Sequence, residues 1–347
     1  MTRSHAALAI VGMALALGSN AHGEEAAMAA TDDPLVTGEF RWTAGPALVS
    51  PAERPDDPCF SVKDPSIVYQ GGRWHLFSTI RSRDRTHQIE YITFADWADA
   101  GRAEHRILIF HPGYFCAPQV FYFEPQQRWY LICQASDEAW DPKYCAAYST
   151  TTDIADPDSW SPLKPLGLHR VGDNAGLDFW VICDDENAYA FFTTLDGKLW
   201  REETALAQFP AGWSEPALAI EGDIFEAAHI YRLKGHDRYL ALIEAQNGHG
   251  WRYFKAYLAD RLSGEWAPLA DTADKSFASV ANVVQEGERW TDCISHGELL
   301  RSGRDQRLEV DTGDLRFVFQ GVLDRDRADL PYGQIPWRLG MLVPETR

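Results

Sequence analysis

Short apolar runs, each preceded by a polar turn, repeat along most of the chain. Arg73-Trp74-His75-Leu76-Phe77-Ser78, Arg128-Trp129-Tyr130-Leu131-Ile132-Cys133, Ala188-Tyr189-Ala190-Phe191-Phe192-Thr193 and Arg238-Tyr239-Leu240-Ala241-Leu242-Ile243 have strand length and are rich in aromatic and branched residues. Before them stand Gln70-Gly71-Gly72, Glu124-Pro125-Gln126-Gln127, Asp184-Asp185-Glu186-Asn187 and Lys234-Gly235-His236-Asp237, which read as the turns of hairpins in series. Helical periodicity over about ten residues is absent outside the N-terminal segment, and Phe94 to Arg102 holds a turn or two at most. No strand-helix alternation, phosphate-binding glycine loop or nucleophile elbow is present.

A longer period lies over the hairpins. Five stretches open an apolar run with a polar or charged residue: Asp64 in Lys63-Asp64-Pro65, Gln119 in Ala117-Pro118-Gln119, Asp178 in Leu177-Asp178-Phe179, Glu226 in Phe225-Glu226-Ala227, and His296 in Ser295-His296-Gly297. They recur at intervals of roughly 50 to 70 residues, near the size of one propeller blade. The expectation is an all-β fold, a five-bladed β-propeller. A β-sandwich also gives hairpins, but nothing in a sandwich requires that period. One propeller domain over residues 36–347 follows, with Pro336 to Leu342 supplying or closing the last strand.

The first residues break the pattern. Arg3, an uncharged Ala- and Leu-rich run from Ala6 to Leu17, and then Gly18, Ser19, Asn20 and Ala21 have the three-part form of a secretory signal. Residues 1–23 are read as that signal, residues 24–35 as a linker, and the protein as secreted or periplasmic. The run is too short to span a bilayer of about 30 Å. Six cysteines in an oxidising compartment permit disulfides, yet no C-x-x-C occurs, and buried unpaired thiols stay equally open.

Charge narrows the partners. With 32 Lys and Arg against 51 Asp and Glu, the formal charge of −19 repels phosphate backbones and anionic lipid, so neither nucleic acid nor a membrane surface is expected as partner. A monomer is expected. The 43 aromatic residues (13 Trp, 13 Tyr and 17 Phe) mostly make core, and some offer stacking surfaces if the ligand is a sugar.

The chemistry rests on Asp64, Asp178 and Glu226. Three carboxylates brought to one axis from separate blades are costly as packing and suited to glycosidic bond cleavage. Inversion needs a base that activates water and an acid that protonates the leaving oxygen, about 6.5 to 9.5 Å apart. A third carboxylate beside the acid helps it keep its proton. Alone, Asp64 reads equally as a turn cap before a strand. Asp178 is one carboxylate in an otherwise apolar run, and Glu226 has the apolar neighbours that favour a protonated acid. His296 has no ligand partner at metal spacing and by itself reads as an interior histidine.

Taken together, Lys63-Asp64, Ala117 to Phe123, Leu177 to Asp184, Phe225-Glu226-Ala227, Trp290-Thr291-Asp292 with Ile294 to Glu298, and Ile335 to Gly340 resemble glycoside hydrolase family 62, the α-L-arabinofuranosidases that remove arabinose from arabinoxylan. The likeness runs from Phe40 to Gly340. It implies a five-bladed propeller acting by inversion on arabinoxylan, with Asp64 as base, Glu226 as acid and Asp178 tuning the acid. It also implies that Lys63 and Tyr332 contact the arabinose, that Gln119 lines the pocket, and that His296 reaches a structural calcium ion held mainly by water, with no cofactor required for the chemistry. A neutral nitrogen is a poor ligand for that ion. Thr312 stands where many relatives carry a cysteine, and the loops Ser136 to Tyr144 and Leu166 to Asn174 depart from the pattern, which bears on the groove. The readings set against it are a related propeller hydrolase acting on arabinan or xylosides, and a non-catalytic carbohydrate-binding propeller.

Overall fold

The computed structural model describes Met1 and residues 33–345, so the proposed signal and most of the proposed linker lie outside the described residues. Asp33 caps a four-residue helix, Pro34–Thr37, whose Leu35 is buried, so the end of the proposed linker is packed on the fold.

Five sheets follow one another along the chain. Blade one runs outward from Cys59–Gln70 through Arg73–Ser82 and Gln88–Phe94 to Arg106–Ile107. Blade two uses Phe115–Phe123, Arg128–Ser136, Tyr144–Thr151 and Lys164–Pro165, and blade three Leu177–Cys183, Asn187–Thr193, Lys198–Ala205 and Ala217–Glu221. In blade four, His229–Leu233, Tyr239–Gly248, Gly250–Ala259 and Ala267–Ala270 are joined by Glu309–Val310, parallel to the first. Each predicted hairpin run falls on the second strand of a blade. Gly71 and Gly72, both at positive φ (60° and 79°), make the tight turn that entered blade one as a sequence signal.

Blade five closes the ring. Its order outward is Ser295–Leu299, Phe317–Gly321, Arg338–Pro344, Trp42–Ala44 and Val283–Gln285. The C-terminal strand is therefore the third of five, and the early strand Trp42–Ala44 is zipped between it and Val283–Gln285. Trp42 is buried, and its indole N–H donates to the Phe277 carbonyl at 2.6 Å. Between blades, apolar faces interlock in the same way: the Trp180 indole of blade three donates to the Ile230 carbonyl of blade four at 2.8 Å.

What positions the site is a defect repeated in each blade. The pairing register shifts between Lys63 and Ser66, Cys116 and Gln119, Leu177 and Trp180, and Ser295 and Gly297. Asp64, Ala117 and Asp178 occupy the left-handed region there, and in blade four, whose inner pairing shows no shift, Ala227 does so just before His229–Leu233, all with φ between 49° and 52°. Such a bulge takes a backbone N–H out of the ladder and re-aims the side chain. A freed N–H that is buried needs an acceptor, and in every blade it comes from the blade before. Asp64 N–H donates to Gln320 Oε1 (2.8 Å), Ala117 to Thr79 Oγ1 (2.8 Å), Asp178 to Gln134 Oε1 (3.1 Å), Ala227 to Asp178 Oδ2 (2.9 Å) and His296 to Glu244 Oε2 (2.6 Å). Four of these acceptors stand on second strands. Blade three differs: its second-strand Thr193 hydroxyl is buried without a partner, and Asp178 takes over the capping.

Candidate active site

The bulges aim their side chains into one cavity of about 360 Å³ on the axis, lined among others by Lys63, Asp64, Asp178, Glu226, Arg252, His296 and Tyr332. Six of the seven residues singled out in the sequence meet there. Gln119 does not, and that expectation is corrected. Its amide donates to the Val181 carbonyl and accepts the Val181 N–H, both at 2.7 Å, so it clamps blade two to blade three. The position that faces the cavity from blade two is the bulge residue Ala117.

Asp64 is buried, with Lys63 Nζ at 3.0 Å from Oδ2 and His296 Nδ1 at 3.4 Å from Oδ1. Burial alone would raise its pKa, but Lys63, then His296 and the Thr79 hydroxyl, outweigh it and hold the carboxyl at about 2. Lys63 is buried too; desolvation is overcome by Asp64, so the amine stays charged, 5.5 Å above the Tyr332 ring.

Asp178 has the opposite balance. Burial, then the charges of Glu226 and Asp64, push its pKa well up against the lowering effect of the Ala227 N–H. Because Asp178 accepts that N–H at 2.9 Å, it fixes the backbone next to Glu226. Glu226 keeps 14% of its side chain exposed and accepts from Arg252. Its apolar sequence neighbours therefore do not surround its carboxylate; a guanidinium does. Arg252 is sandwiched by the Phe225 and Trp251 rings at 4.8 and 4.7 Å, and it also donates to Glu244 Oε1 at 2.6 Å.

Across the cavity, His87 packs edge-on to Tyr114 at 5.0 Å, and burial with the nearby Lys63 and Arg81 charges lowers its pKa to about 3. His296 faces Asp64 and, at 3.9 Å, Asp178, and its ring meets His229 edge-on. Among the described residues no three His, Cys, Asp or Glu side chains form a cation cage. Its carboxylate neighbours are already bonded to Lys63 and to Ala227, so the side chains present do not fit a protein-held calcium site. All six cysteines are unpaired, and Cys116, at the cavity wall, donates to the Tyr114 hydroxyl.

A wider open hollow of about 810 Å³ is lined by Asp141, Lys143, Tyr144, Arg170, Asp173, Asn174 and, next in sequence to Leu177 of the cavity, Gly176, among others. Of these, all but Gly176 lie in the two loops whose sequence departs from the family pattern.

Sequence reasoning missed Arg252, Glu244, Gln134 and His87. Glu244 carried a related signal, a lone carboxylate at the end of an apolar run, Leu240-Ala241-Leu242-Ile243-Glu244, where Asp178 opens one. Arg252 lies on a third strand, where no local pattern marks it as axial.

A propeller with three acidic groups and two buried cations around a small axial cavity is the architecture of a glycoside hydrolase. Comparison places it more narrowly. The profile described as "Glycosyl hydrolase family 62" matches residues 41–343, and the chain belongs to that family. It is 39% identical over 310 residues to alpha-L-arabinofuranosidase C of Cellvibrio japonicus (strain Ueda107), a match covering 87% of this chain and 47% of that protein. The chain thus spans about half the length of this relative. Among solved structures, the catalytic domain of the family 62 α-L-arabinofuranosidase of Coprinopsis cinerea superposes with a TM-score of 0.82 at 37% identity, covering 88% of this chain and 98% of that one. A family 62 hydrolase in complex with xylotriose gives 0.80 at 37% identity, with the same coverage of both chains.

Proposed function

We propose that this glycoside hydrolase is an inverting, exo-acting α-L-arabinofuranosidase that removes arabinose side chains from arabinoxylan. The observation that carries the reading is the meeting of Asp64, Asp178 and Glu226, from three blades, in a cavity of about 360 Å³. That volume suits one pentose ring and not a polymer, so a side-chain sugar enters and the main chain stays outside. The relative complexed with xylotriose supports a xylan main chain there.

Asp64 is the base. Held at about 2, it is fully ionised at neutral pH and ready to take a proton from water. Glu226, the least buried of the three, is the acid that reaches the leaving oxygen. Beside it, burial and then the charges of Glu226 and Asp64 push the Asp178 pKa well up, so Asp178 holds a proton to higher pH than an ordinary carboxyl does. Lys63, Arg252 and Tyr332 are placed to hold the sugar hydroxyls. No step is routed through a metal. Export to the periplasm or medium and action as a monomer complete the proposal.

Glu226→Gln and Asp64→Asn are each expected to lower kcat on wheat arabinoxylan by roughly 10²- to 10⁴-fold. Near-wild-type turnover of either would overturn the roles. Proton NMR of the first product should show the inverted anomer of arabinose. Release from linear arabinan or from xylosides in preference to arabinoxylan would favour the related-hydrolase reading, and saturable binding with no sugar released would favour the binding module.

A further inference from the structure

Four bulge caps in this ring come from second strands, and three are neutral: Thr79, Gln134 and Gln320. The fourth is Glu244. A glutamine would satisfy the His296 N–H as Gln134 satisfies that of Asp178, so capping does not require a charge. Glu244 is fully buried, where an ionised carboxylate carries a desolvation cost unless something offsets it. Everything that touches its oxygens donates: Arg252 to Oε1, and Ser295 Oγ (3.0 Å) with the His296 N–H to Oε2. A carboxyl surrounded only by donors is ionised. Burial raises its pKa above the ordinary carboxylate value, and Arg252 is the chief influence opposing that rise.

The second observation is that Glu244 and Glu226 share one nitrogen of Arg252. A cation bonded to Glu226 alone would hold it ionised, which is the wrong state for an acid. We propose that Glu244 is a positioning residue for the reaction: it takes up the Arg252 charge and fixes the guanidinium beneath Glu226, so that Glu226 keeps the proton it must deliver. This rests on the reading of Glu226 as the acid. Glu226 and its partners are faced by Arg252 and Glu244 from blade four, Asp178 from blade three, Asp64 and Lys63 from blade one, His296 from blade five, and Tyr332 from the loop before the last strand. Of these, Glu244 is the one that meets Arg252 without itself lining the cavity.

The test is the pH profile of kcat/KM on arabinoxylan, whose alkaline limb reports the acid in the free enzyme. Glu244→Gln keeps the cap and loses the charge, and the limb should move to lower pH by about one unit or more, with a thermal transition that remains cooperative. Glu244→Asp, which keeps the charge, should lower kcat and leave the limb in place. Arg252→Gln leaves Glu244 uncompensated and should move the limb to higher pH, so the proposal stays testable even if the first variant folds poorly. A purely structural role would lower kcat in all three with an unmoved limb, and that result overturns the proposal. Glu226→Gln is measured alongside on arabinoxylan and on an aryl arabinofuranoside whose leaving group needs no proton. Loss on the first with retention on the second upholds the acid, so an unmoved limb then counts against Glu244 alone. Equal retention on both overturns the acid reading itself.

Discussion

Asp64 and Asp178 occupy equivalent bulges and are both buried, yet their surroundings give them opposite effects on stability. For Asp64 the folded value of about 2 lies below the unfolded one near 3.8, so its contribution is complete above that value and is lost as pH falls towards 2. For Asp178 the folded value is raised, so its contribution is full only below the unfolded value and is lost as pH rises; at neutral pH it is a cost. Substitution by asparagine should separate the two. Asn tolerates the left-handed backbone at both places. Asp64→Asn leaves buried Lys63 without its partner and is expected to cost about 3 kcal/mol. Asp178→Asn is the neutral isostere of the form the fold prefers, and it can still accept the Ala227 N–H. It should raise Tm by about 2–4 °C, the shift that ~1 kcal/mol gives a domain of comparable size, while turnover falls. Calorimetry at pH 7 checks both signs, and destabilisation by both variants would refute the assignment of opposite balances.

At the level of the strand, the working feature is the bulge and its cap from the neighbouring blade. Ala117 shows this without catalytic complication, since it holds φ 52° with its N–H on Thr79. A branched side chain is strained in that region, so Ala117→Val should lose about 2 kcal/mol in urea denaturation. Ala117→Gly should stay within about 1 kcal/mol of wild type, since relief of strain opposes added chain entropy. Equal losses would mean the left-handed turn is not what the position requires. The bulges also explain how much of the site was legible. Asp64, Asp178 and His296 stand at the bulge itself and Glu226 one residue before it, so an oddly polar residue opening an apolar run did mark them, whereas Lys63 and Tyr332 came only from the family resemblance. Gln119 carried the same mark two residues past its bulge, where the side chain turns sideways into the next blade. Local pattern does not fix that offset. Arg252 and Glu244 reach the axis from the third and second strands of blade four, through length and pairing that sequence spacing does not encode.

Over the whole molecule, the blade count was readable because each blade repeats one turn-and-strand pattern, and the closure was not. Trp42–Ala44 is three residues long and pairs with strands more than half the chain away, so no local period announces it. The ring also holds buried groups that carry charge only at a cost, and this gives the enzyme its expected response to acid. His87 has a folded pKa of about 3 against an unfolded value near 6.5. Between those values the unfolded chain binds a proton that the folded one refuses, so stability falls as pH drops through that window and is complete above it. Asp64 stays ionised throughout, so the proposed base remains competent while the scaffold weakens. Replacing the titrating ring isolates the effect: the Tm of His87→Gln minus that of the wild type should become steadily more positive from pH 6.5 to pH 4, whatever its offset at pH 7. A difference that stays constant with pH would show that the histidine is hydrated and free to charge in the folded cavity, and the acid sensitivity would then have to come from the other histidines whose pKa burial lowers, His75 and His229, the latter stacked on Trp180 at 4.2 Å.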